Sequence, residues 1–255
     1  MKPAVDVQRE PNRRLFRAIL FVASAAAAAL ILRGTWAEPR IAAVILSAVL
    51  AVFFVRWVAQ KRLKRALLSG DVNAVLRQWS KHIERAPHAS TMAPLMTATA
   101  FAANGFLEHA RTALAAAERG PAWEAALEHR LFLDTFLLTF EGDRDEAVRS
   151  ADRLARLPVL TNSESLRARV VLLRSAVGAF ARAFAHKAEQ GDLDLLETAA
   201  QSSPLVHWAM RYAGAVVAID RGDAAKAQQL ILGAPNWPTE SAFRSYHDEI
   251  ALHVG

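Results

Sequence analysis

Five of the eleven glycines, Gly70, Gly105, Gly142, Gly191 and Gly222, fall in stretches of one kind: LLSGDVNAV, AANGFLEHA, FEGDRDEAV, EQGDLDLLE and DRGDAAKAQ. An apolar helical run precedes each glycine, and a helix starter follows close behind. A chain that ends one helix and begins another in so short a space needs positive φ at the join, which glycine adopts without steric cost. The glycines stand 35, 37, 49 and 31 residues apart. A recurrence of that length predicts stacked helix pairs. Asp71, Asp143, Asp192 and Asp223 are the expected N-caps, with a D-x-x-E pattern at Asp143 and Glu146 and a capping box at Thr161 and Glu164.

The remaining pattern is helical too. Alanine and leucine dominate and lose little side-chain freedom in a helix, while β-branched runs are scarce after the first sixty residues. Helices are expected over about 72–86, 91–103, 106–119, 122–141, 144–157, 163–189, 193–201, 205–221, 224–232 and 239–253. No segment alternates apolar and polar residues between hairpin turns. The expected fold class is all-α: an N-terminal helical hairpin followed by an α-solenoid of antiparallel helix pairs.

The turns resemble those of the tetratricopeptide (TPR) family, a helix-turn-helix repeat in which a small alanine follows the turn glycine five residues later. Gly105 is followed by Ala110, Gly142 by Ala147 and Gly222 by Ala227, whereas Val75 and Leu196 stand at the other two positions. Pro87, Pro121, Pro158 and Pro238 sit near the repeat ends, where that family tends to place proline. The 49-residue gap departs from the period, so the resemblance implies a degenerate TPR-like array over 66–255. It also implies a concave face, built by the first helix of each pair, that holds a peptide or helix of a protein partner. Counted back from the turns, that face takes Met92, Leu95 and Thr99, then His129, Phe132, Phe136, Thr139 and Phe140, and finally Tyr212. The i, i+4, i+8 spacing of Phe132, Phe136 and Phe140 is also that of a packed core stripe, the commoner origin of such periodicity.

Ahead of the array lie two apolar runs, 15–32 and 41–59, separated by RGTWAEPR. There Pro39 ends helical continuity, Gly34 gives turn freedom and Trp36 suits the headgroup level. Each run has the length of a bilayer span, about 17–25 residues. Arg13, Arg14 and Arg17 flank the first, and Arg56, Lys61, Arg62, Lys64 and Arg65 the second. Residues 1–65 carry 12 Lys and Arg against 3 Asp and Glu, and the rest of the chain 19 against 22. The basic excess therefore lies beside the apolar runs and off the helical array, which argues against a nucleic-acid partner. The expected organisation is a basic N-terminal segment (1–14), a transmembrane hairpin (15–59) and a helical domain (60–255). The positive-inside rule puts both flanks in the cytoplasm, which makes the chain a multi-pass protein of a bacterial inner membrane with the lipid bilayer as one partner. A cleaved signal peptide ending near Thr35-Trp36-Ala37, or two buried core helices, are the other readings of the runs.

Chemistry is hard to find. The chain has no cysteine, no HExxH and no histidine pair at i, i+4, so no metal site is expected. The glycines form no phosphate loop, the serines sit in no nucleophile elbow, and the RGD at 221–223 reads as a helix-turn cap. Glu108-His109, Glu128-His129, His247 and His253 read as solvated helix surface. No enzyme activity, cofactor or small-molecule substrate is expected. The expected function is that of an adaptor or assembly factor that binds protein. Its rival is a structural subunit of a larger membrane complex in which the hairpin is the working part. In architecture alone the chain resembles membrane-anchored TPR proteins linked to tetrapyrrole biosynthesis.

Overall fold

The structure is a computed structural model and describes residues 39–83, 87–161 and 163–254. The chain divides into two units, Met1–Lys61 and Arg62–Gly255. Every regular element among the described residues is helical.

The described part of the first unit belongs to helix α1 (Pro39–Leu68), whose last turns lie in the second. Leu50, Val52, Phe53, Phe54, Val55 and Trp57 are exposed along it. Among the described residues no helix is long and apolar enough to cross a membrane. This overturns the expected multi-pass inner-membrane location. Although α1 contains the expected second span, its basic residues Arg56, Lys61, Arg62, Lys64 and Arg65 run through its second half. Arg56 ends the apolar run of α1, and 41–55 covers only about 22 Å at the helical rise, against about 30 Å of bilayer hydrocarbon. The first run, most of the RGTWAEPR tip, and Arg13, Arg14 and Arg17 lie outside the described residues.

The second unit continues with α2 (Val72–Ile83), α3 (Ala89–Ala102), α4 (Leu107–Glu118), α5 (Leu127–Glu141) and α6 (Arg144–Arg156). Then come α7 (Glu164–Phe184), α8 (Asp192–Ser202), α9 (His207–Asp220), α10 (Ala224–Ile231) and α11 (Ala242–Val254), with single 3-10 turns ahead of α5 and α9. The pairs α3/α4, α5/α6, α7/α8 and α9/α10 pack within themselves, and the first helices stack in order, α3 on α5, α5 on α7 and α7 on α9. The array is therefore solenoid-like. All five turn glycines have positive φ. The residue five positions after each is buried: Val75, Ala110, Ala147, Leu196 and Ala227.

Side-chain caps explain the starts of α2, α6 and α10. Asp71 accepts from the Ala74 N–H at 2.9 Å, Asp143 from Glu146 at 3.4 Å and Asp223 from Lys226 at 2.9 Å, each satisfying a helix-end donor. Two starts differ from expectation. At α8 the cap position is Gly191, and the Asp192 carboxylate instead accepts the Glu189 N–H at 2.8 Å and the Arg182 fork at 3.0 and 2.6 Å. At α7 the cap is Ser163, not Thr161, with Oγ accepting from Leu166. The helix also stops at Phe184, short of the expected 189, where His186 takes a left-handed φ of 54°.

After α10 the chain does not simply stop. The connection from Leu232 to Ser241 returns to the first two turns of the array. Trp237 lies on Gly70, where an added Cβ would come within 2.6 Å of the indole. The Ser241 hydroxyl donates to the Asn104 carbonyl at 2.8 Å, and the Ala242 N–H donates to the Gly105 carbonyl at 2.9 Å. At the start of α9, the Trp208 indole N–H donates to the Leu68 carbonyl at 2.8 Å. Gly70 and Gly105 thus serve twice, as left-handed turn residues and as bare backbone under a crossing chain.

Candidate functional site

The face expected to bind a partner is made of aromatic rings supplied by successive first helices. On α5, Phe132, Phe136 and Phe140 form a ladder, the first two stacked with centroids 4.9 Å apart and the next pair edge-on at 6.2 Å. The ladder continues onto α7. Phe180 stacks on Phe136 at 4.5 Å, and Phe184 meets both Phe180 and Phe140 edge-on. Offset-stacked and edge-on arrangements are those the aromatic quadrupole favours.

This face is covered by the chain's own α11. Phe243 stacks on Tyr212 of α9 at 4.8 Å and meets Phe140 edge-on at 5.5 Å. One turn further, Tyr246 lies 5.9 Å from Phe140 and 4.9 Å from Phe184. Ile250 is also buried. The Trp237 indole can only donate, and it gives its proton to the Tyr212 hydroxyl at 2.8 Å. The same hydroxyl lies 3.1 Å from Nδ1 of His247, within hydrogen-bond distance. Burial pushes the Tyr212 phenol well above the ordinary tyrosine range, and the Tyr246 phenol up in the same direction. Both phenols remain protonated.

The expected groove residues separate into three groups. Leu95, Phe136, Thr139 and Tyr212 are buried and do not face an open groove. Met92, Thr99, Phe132 and Phe140 are half-buried, and Phe140 contacts α11 through Phe243 and Tyr246. His129 is exposed. The threonine hydroxyls are also committed: Thr99 donates to the Leu95 carbonyl at 2.8 Å and Thr139 to the Thr135 carbonyl at 2.6 Å. Glu128, read as solvated surface, pairs with Arg174. That arginine is buried, donating to the Glu128 carboxylate at 3.0 Å and to the Leu157 and Pro158 carbonyls.

Sequence reasoning missed Trp237, Phe243, Tyr246 and His247 as parts of this face. A signal was available: Phe243, Tyr246 and Ile250 stand at i, i+3 and i+7 of an expected helix, an apolar stripe that needs a surface. Periodicity cannot say which surface. Beside the outer half of α11 lies a cavity of about 190 Å³, lined by Phe184, Val216, Ile219, Tyr246 and Ile250 together with Arg144, His186, Asp220, Glu249 and His253. No cluster of His, Asp or Glu among the described residues could hold a metal ion. No family model, no curated protein and no solved structure matches the chain.

Proposed function

We propose that the chain is a TPR-like adaptor or assembly factor that works by holding a protein partner and carries no chemistry of its own. The observation that carries this reading is the stacked first helices, whose aromatic side chains form a continuous face that already accepts an amphipathic helix through Phe140, Phe184 and Tyr212. Rigid aromatic side chains on a solenoid-like stack make suitable anchors for protein interfaces, because they contribute contact area at low entropic cost.

The test is crosslinked recovery of the tagged full chain from its native cells. A specific protein should be recovered in near-stoichiometric amount. It should be lost from the Met92→Asp/Phe132→Asp variant, which alters two half-buried positions at the uncovered end of the face. Recovery of nothing above an untagged control would sink the adaptor reading.

A further inference from the structure

We propose that the open cavity beside α11 is a binding site for a free α-amino acid with a large apolar side chain. This goes beyond the adaptor reading and does not depend on it. Four helices line the cavity. Its apolar lining is Phe184 at the end of α7, Val216 and Ile219 of α9, and Ile250 of α11, with Phe184 and Ile250 almost wholly buried. An enclosed apolar cavity of about 150 Å³ takes benzene. At about 190 Å³ this one has room for a single ring or a branched aliphatic chain.

The polar lining carries both signs of charge. Asp220 and His186 are committed to each other, the imidazole Nδ1 lying 3.0 Å from both carboxylate oxygens. His253 is tied to its own helix, where Nδ1 donates to the Glu249 carbonyl at 2.9 Å. Arg144 and Glu249 are left. Both are exposed, and among the described residues neither side chain has an ion-pair or hydrogen-bond partner. Both charges also reach the Tyr246 phenol: burial raises it most, Arg144 opposes the rise and Glu249 adds to it. The Tyr246 hydroxyl likewise makes no hydrogen bond among the described residues. Opposite charges that border one cavity without pairing with each other match a ligand that carries both. The amino-acid carboxylate accepts from the Arg144 fork, whose planar donors suit it, and from the Tyr246 hydroxyl. The ammonium donates to Glu249, and the side chain lies against the apolar lining. An apolar acid without the ammonium would leave Glu249 without a partner, and an apolar amine would leave Arg144 without one. Each exposed charge contributes little alone, so recognition needs both ends and the side chain together.

The test is an NMR titration of the purified full chain with L-phenylalanine, followed through the imidazole C–H resonances. His186 and His253 line the cavity and should shift saturably below about 10 mM ligand, whereas His88 and His207 should not. Phenylacetate lacks the ammonium, phenethylamine the carboxylate and glycine the side chain. Each should bind at least about tenfold more weakly than phenylalanine. Arg144→Gln should weaken phenylalanine at least about tenfold and leave phenethylamine unchanged. Glu249→Gln should weaken phenylalanine to the same degree and leave phenylacetate unchanged. Both positions are exposed, so the variants keep the fold, and circular dichroism checks this. No saturable shift at His186 and His253, analogues that bind as tightly as phenylalanine, or variants that bind it as the wild type does would each overturn the proposal. None of these results touches the adaptor reading, which stands or falls on the crosslinked recovery.

Discussion

Replacing Phe136 with alanine removes a ring that has no exposed surface and lies between Phe132 at 4.9 Å and Phe180 at 4.5 Å. Truncating a buried phenylalanine costs about 3–5 kcal/mol, from lost transfer energy plus the cavity left behind. Two stacked neighbours place this site toward the upper end, about 4–5 kcal/mol, because aromatic pairs contribute beyond their buried area. For a domain of this size each kcal/mol lowers the melting point by about 2–4 °C, so the expected fall is roughly 8–20 °C. Thermal and urea unfolding followed by circular dichroism measures both quantities. Phe132→Ala is the internal comparison: it is half-buried and shares the stack, so its loss should be smaller. A Phe136→Ala loss under about 0.5 kcal/mol, the scale of a typical surface change, would refute the assignment of Phe136 to the core.

Other perturbations follow from the same contacts. Gly142→Ala should cost about 1 kcal/mol, since its φ of 93° is strained for alanine but nothing lies within 4 Å of the new methyl group. Gly105→Ala should cost clearly more in urea unfolding, because its methyl would come within 2.8 Å of the Ser241 hydroxyl and 3.1 Å of the next backbone nitrogen. Asp223→Ala removes the cap that accepts the Lys226 N–H and should cost about 1 kcal/mol. Arg174→Ala leaves the Leu157 and Pro158 carbonyls without their partner and should cost about 1–3 kcal/mol in the same assay. His207 is held below the ordinary histidine range by burial. Its contribution is therefore complete above about pH 6.5 and declines as the pH falls toward its folded value. The urea midpoint should drop between pH 7.5 and 5.5, and drop less in His207→Gln. Asp192 adds a second acid-sensitive step. Burial pushes its carboxyl up, but the Arg182 fork and the Glu189 N–H outweigh this and hold it low. That contribution is present above about pH 3.9 and lost below it.

By itself the sequence determined the helices, their pairing and most of their ends. These are short-range matters. Positive φ at Gly105, Gly142 and Gly222 and the small alanine five residues on decide where a helix turns back, and Asp71, Asp143 and Asp223 decide where the next begins. Apolarity and basic flanks suggested two membrane spans, yet among the described residues no helix is long and apolar enough for one. What covers the aromatic face was not legible. The Phe132, Phe136 and Phe140 stripe and the Phe243, Tyr246 and Ile250 stripe are both visible as periodicities, but a period does not name its partner surface. That choice rests on contacts between distant residues, such as Trp208 with the Leu68 carbonyl and Ser241 with the Asn104 carbonyl, 140 and 137 positions apart. Only when the stack has brought the turns at Gly70 and Gly105 beneath the returning chain do bare backbone and indole meet. Local propensity placed the helices, whereas long-range packing decided that α11 closes over the face the first helices had built.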